Sequence, residues 1–128
     1  MIEFREISNT NIVEFTIDGS ISGAEFDELV AKIEAAIRQH GTLRILEHIR
    51  SFGGMPVAKV WDDIKFGFKN MKNFSHAAVV ADQKWIELFT RAAKPFVSAE
   101  VRYFNETDIE QAREWLRSRL AGTTPHAA

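Results

Sequence analysis

The chain has 128 residues, 45% of them hydrophobic, which is the size of one domain and supplies enough apolar material for a core without staples. It has no cysteine, which excludes disulfides, thiolate metal sites and a cysteine nucleophile and suits a reducing interior. Sixteen basic side chains against eighteen acidic ones give a net charge of −2, without the broad basic field that a nucleic-acid partner requires.

The start, Met1 to Arg5, lacks the basic-then-apolar order of a secretory signal, and no apolar run approaches bilayer length, so the expected location is the cytoplasm. Ile2 to Ile7 and Ile12 to Asp18 are β-prone runs separated by Ser8 Asn9 Thr10 Asn11, a turn composition at hairpin length, and should pair antiparallel. Ser22 with Glu25 three positions on has the form of a capping box and opens a helix. Its apolar face is Phe26, Leu29, Val30, Ile33, Ala36 and Ile37, and Gly41 stops it. A strand follows over Leu43 to Arg50. Met55 to Phe74 is read as a helix, with Pro56 in its first turn and Val57, Val60, Trp61, Ile64, Phe68 and Met71 on one face. Ala77 to Ala81 is an apolar strand, Asp82 caps a helix that ends at Pro95, and Ala99 to Phe104 is the fifth strand. A last helix, entered through Thr107 and Glu110, buries Ile109, Ala112, Trp115, Leu116 and Leu120. Residues 1–120 read as a single domain and 121–128 as a flexible tail.

The strands alternate. Val13, Phe15 and Ile17 are interleaved with Glu14, Thr16 and Asp18; Leu43, Ile45 and Ile49 with Arg44, His48 and Arg50; Val101 and Tyr103 with Glu100 and Arg102. A parallel sheet covered on both faces should be apolar almost continuously. The expected fold class is therefore α/β: a five-stranded, mostly parallel sheet with an antiparallel first strand, about four helices mainly on one face, and a second face left partly open or polar.

Candidate sites follow from local chemistry. Phe52 Gly53 Gly54 Met55 Pro56 joins a pliable loop to apolar side chains that are costly to leave in water, and the helix beyond it carries Trp61, Phe66 and Phe68 with Lys59, Lys65, Lys69 and Lys72. Such a helix suits a bilayer interface, although packing Trp61 and Phe68 on the sheet accounts for the same pattern except at Phe66. Trp85 and Phe89 fall at helical spacings beside other apolar residues, as core residues do, and would line any cavity that opens between the second and third helices and the sheet. No metal site is expected: His48 is late in its strand and His76 early in the next, at opposite edges of a parallel sheet. Asp62 and Asp63 diverge by about 100° on a helix and make no acid–base pair. Glu47, His48 and Asp82 share the carboxyl edge of the sheet, where they form either a polar cluster or a cap with two solvated residues. Gly53 Gly54 is not followed by the Lys and Ser or Thr of a P-loop, and no cofactor is expected.

The ordered set Gly19 Ser20 Ile21 Ser22, Trp61 to Phe66, Ala78 to Trp85, Glu100 to Phe104 and Ala112 to Leu116 resembles the bacterial SpoIIAA-like family over Ile2 to Leu116. That resemblance implies a STAS-type β/α superhelix, a likeness to lipid-carrying CRAL-TRIO domains, and binding of an apolar ligand or a membrane surface. Anti-sigma factor antagonists of the STAS group keep a phosphorylatable serine, in an Asp-Ser context, after the third strand. Here Ser51 is the hydroxyl in that region, between Arg50 and Phe52, with no aspartate before it. The expectation is a non-enzymatic module that binds an apolar or lipid-like ligand, or associates peripherally with membrane, through Phe52, Met55, Trp61, Phe66, Phe68, Trp85 and Phe89. The alternative is a regulatory module that docks a protein partner through the open sheet face or the Ser51 loop, with or without phosphorylation of Ser51. A homodimer through the first strand's edge or the polar sheet face stays open.

Overall fold

The computed structural model describes residues 1–51, 73–82, 84 and 100–122. Five strands, β1 (Ile2–Glu6), β2 (Ile12–Ile17), β3 (Leu43–Ile49), β4 (Phe74–Val80) and β5 (Glu100–Phe104), form one sheet in chain order. β1 pairs antiparallel with β2, and every later pair is parallel. The hairpin turn uses its polar residues as expected. Asn9 takes a positive φ of 62°, a conformation asparagine tolerates, while Thr10 Oγ1 donates to Ile7 O at 2.8 Å and accepts from Ile12 N at 3.0 Å.

Helix α1 (Gly23–His40) lies between β2 and β3 in the chain and starts with the complete capping box: Glu25 N donates to Ser22 Oγ at 3.1 Å and Ser22 N to Glu25 Oε1 at 2.9 Å. It ends at Gly41, whose φ of +81° a residue with a Cβ adopts only under strain. Phe26, Leu29, Ile33 and Ala36 are buried, and the last three pack with Val13, Phe15, Leu43 and Ile45. Each large side chain so buried contributes about 1.5–3 kcal/mol. β4 begins at Phe74, which pairs with Leu43 and packs beside α1, so that residue belongs to a strand and not to the helix expected over Met55 to Phe74. The rest of that helix and the one expected between Asp82 and Pro95 lie outside the described residues, apart from Lys84.

The chain after β5 turns through a 3-10 segment (Glu106–Asp108) into helix α2 (Ile109–Gly122). Asp108 N donates to Asn105 O at 2.9 Å, so this segment makes the helix entrance in place of the expected Thr107 cap. The helix continues two residues past Leu120, because Ala121 favours helix and Gly122 is the first residue that does not.

α2 corrects the expectation of a face left open. Parallel crossovers are right-handed, so crossovers that advance the strand order in one direction carry their helices on one face. α2 is no crossover; it folds onto the opposite face and packs Ala112, Trp115 and Leu116 against Ile12, Leu46, Ala78 and Val80. Those residues are on the same strands as the polar positions that suggested an open surface. Two of these polar positions are themselves buried. Glu14 (8% exposed) accepts from Arg113 Nε at 3.0 Å, Arg113 Nη2 at 3.1 Å and Arg5 Nη2 at 3.0 Å. Arg44 (3% exposed) donates from Nη1 to Leu116 O at 3.1 Å, a carbonyl within α2. Burial lowers the Arg44 pKa, whereas the hydrogen bond to Glu14 raises that of Arg113.

Candidate functional site

The parallel strands β2 to β5 end on one edge, the edge where open α/β sheets present residues to ligands and partners. The chain sets Asp18 Gly19 after β2, Arg50 Ser51 after β3, Ala81 Asp82 after β4 and Asn105 Glu106 after β5. The ladder is stitched past the strand ends, since Arg50 N donates to Ile17 O at 2.9 Å and Ala81 N to Phe104 O at 3.0 Å.

Ser51 is the best-defined polar group there. Its hydroxyl donates to Asp18 Oδ1 at 2.7 Å and accepts from Gly19 N at 2.8 Å, and Gly19 N also reaches Ser51 O at 3.3 Å. Gly19 turns the backbone there at φ +80°, the left-handed region that favours glycine. Ser51 is exposed, so its hydroxyl is oriented and accessible at once. An aspartate thus reaches Ser51 from the neighbouring strand end and not from the residue before it. Asp18 was not singled out from sequence, yet the parallel pairing of β2 with β3, which sets Ile17 opposite Ile49, is enough to bring Asp18 beside this connection.

Farther along the edge, Thr16, His48, Val80 and Phe104 are register partners in successive strands, on the face that α2 covers. His48 Nε2 is buried without a hydrogen bond and lies 3.6 Å from Glu106 Oε2. Glu47, one residue earlier, points to the other face, so strand alternation separates it from His48 and divides the polar cluster considered from sequence. His76 sits opposite Arg44 at the other end of β4, far in register from His48, as expected. Among the described residues no group of three or more His, Asp or Glu could hold a metal ion.

Of the residues singled out from sequence, Ser51 is thus placed on the carboxyl edge. Phe52, Met55, Trp61, Phe66, Phe68, Trp85 and Phe89 lie outside the described residues. Among the described residues no helix is long and apolar enough to cross a membrane.

A comparison with curated proteins gives no match. Among solved structures, the chain is similar to an uncharacterised protein of the DUF3478 family with a SpoIIAA-like fold from Shewanella loihica PV-4, with a TM-score of 0.73 at 24% identity over 91% of this chain and 92% of that one. That likeness is one of fold. A profile of the SpoIIAA-like family matches residues 12–117, from the first residue of β2 into α2. The chain belongs to the SpoIIAA-like family.

Proposed function

We propose that this chain is a STAS-type regulatory module that docks a protein partner at the carboxyl edge of its sheet and carries out no reaction of its own. One observation carries the reading: Ser51, exposed at the start of the connection after β3, has its hydroxyl held between Asp18 Oδ1 and Gly19 N. Anti-sigma factor antagonists of this fold keep their serine at that point of the chain, next to an aspartate. Here the carboxylate comes from the adjacent strand.

The arrangement gives a modification at Ser51 a defined effect. A phosphoryl group removes the hydroxyl proton that Asp18 accepts and adds about −1.5 to −2 charges beside that carboxylate. Repulsion then separates the ends of β2 and β3 and changes the surface that a partner meets. The apolar-ligand and membrane reading draws its support from side chains outside the described residues. A concavity between α1 and β1, lined by Ile2, Phe4, Glu25, Glu28, Leu29 and Lys32, has a volume of about 30 Å³, room for water and not for a lipid.

The test is quantitative cross-linking and co-purification from the source cells with the wild-type chain, Ser51→Ala and Ser51→Asp. A partner held by the first two and lost with Ser51→Asp is the expected result. A partner held equally by all three removes Ser51 from the mechanism. Recovery of a lipid-like molecule with no protein partner returns the apolar-ligand reading to first place.

A further inference from the structure

β1 is an edge strand, and among the described residues no strand pairs with its outer side. Its hydrogen-bonding phase follows from the two bonds that bracket it: Asp18 N donates to Met1 O at 2.9 Å and Ile7 N to Ile12 O at 3.0 Å. In an antiparallel ladder bonded pairs alternate with non-bonded ones, so Glu3 and Arg5 direct their backbone groups at β2 while Ile2, Phe4 and Glu6 direct theirs outward. The side chains alternate too. Ile2 and Phe4, half-buried, lie on the α1 face, and Glu3 and Arg5, exposed, lie on the other.

On that second face a row of charges crosses the sheet and stops at the edge. Arg113 on α2 meets Glu14 on β2, and Glu14 meets Arg5 on β1. The next position outward calls for an acid. Glu3, two residues from Arg5 on the same face, faces Thr16 and has no side-chain partner.

We infer that β1 pairs antiparallel with β1 of a second copy of this chain, about a two-fold axis at Phe4, joining two sheets into one. The register is dictated by the chain. The outward backbone groups belong to even-numbered residues, so pairing proceeds about Glu3, Phe4 or Arg5. An axis at Glu3 sets two carboxylates face to face, and one at Arg5 sets two guanidinium groups face to face; both are unfavourable for directly opposed residues. An axis at Phe4 sets Glu3 against the partner's Arg5 and Arg5 against the partner's Glu3, in the non-hydrogen-bonded pairs where side chains approach most closely. It also stacks the two Phe4 side chains on the α1 face and gives Ile2, Phe4 and Glu6 backbone partners. The row of charges then continues as Arg113, Glu14, Arg5 and the partner's Glu3. A closed two-fold pairing also consumes the β1 edge.

Sedimentation velocity of the whole chain at high micromolar concentration tests this directly. The wild type is expected to sediment at twice the chain mass. Glu3→Arg, which sets like charges against the partner's Arg5 and breaks no ion pair among the described residues, is expected to give a folded monomer that unfolds in one cooperative transition, at a Tm lower than the wild type's only by what dimerisation adds at that concentration. Glu6→Pro removes an outward N–H that β2 does not use and is expected to do the same. A monomeric wild type overturns the inference. So does a dimer that survives both substitutions, since it must then be held by another surface.

Discussion

Replacing Glu14 tests how the last helix is held on the sheet. Glu14 is 8% exposed and its carboxylate receives three hydrogen bonds at 3.0–3.1 Å, two from Arg113 and one from Arg5. A hydrogen bond to a charged group contributes roughly 1.5–3 kcal/mol, and cutting a fully buried ion pair costs about 3–5 kcal/mol. Neither guanidinium is fully buried, Arg5 being 61% and Arg113 26% exposed, so both regain water when the acid is removed. The expected cost of Glu14→Ala is therefore about 2 kcal/mol, and for a chain of this length the fall in Tm is about 6–10 °C. Urea unfolding of Glu14→Ala, Arg113→Met and the double variant measures the shared part, expected at about 1 kcal/mol or more. A loss below about 0.5 kcal/mol in Glu14→Ala, or additive single effects, would refute the role given to this pair in anchoring α2.

Two further outcomes are expected. The hydrogen bond from the Ser22 backbone lowers the pKa of Glu25, so the capping box adds stability that is present above the ordinary glutamate range and lost as pH falls through the lowered value. Glu25→Gln keeps an acceptor and drops the titration; its Tm should vary less than that of the wild type between neutral pH and pH about 3, and equal slopes would contradict the assignment. Trp115 is 7% exposed and touches His76 edge-on at a 5.8 Å centroid distance and Phe104 at 6.1 Å, with Arg102 5.5 Å from its ring. Trp115→Ala should cost about 3–5 kcal/mol by chemical denaturation, and a loss under 1 kcal/mol would show that the α2 face is not a close-packed core.

Local pattern carried much of the fold. The hairpin turn, the Ser22–Glu25 box, the Gly41 stop and the alternation in β2, β3 and β5 are set by near neighbours and were legible. The covering of the second face was not, because alternation reports polarity and not burial. Glu14 and Arg44 look like solvent positions until their partners, Arg113 and Leu116, arrive from 99 and 72 residues away. The site divides in the same way. Ser51 is marked by its place after β3, whereas its carboxylate partner lies 33 residues earlier and is brought to it only by the pairing of β2 with β3. Glu47 and His48 show the converse: neighbours in sequence, they are parted by the pleat, which separates the two reactive members of the polar cluster that was one of the two readings open there.

Because strand order equals chain order, each new strand meets its partner at the open end of a sheet already laid down, and assembly can follow synthesis step by step. The face that α2 covers is the exception. Ile12, Leu46, Ala78 and Val80 form an apolar strip that later strands widen without sealing, until the segment from Ile109 onward swings across it. Until α2 is made, that flank lacks the side chains that bury it in the finished sheet. The buried Glu14 and Arg44 interrupt that flank with charge while it waits, and then serve as the sockets into which the final helix fits.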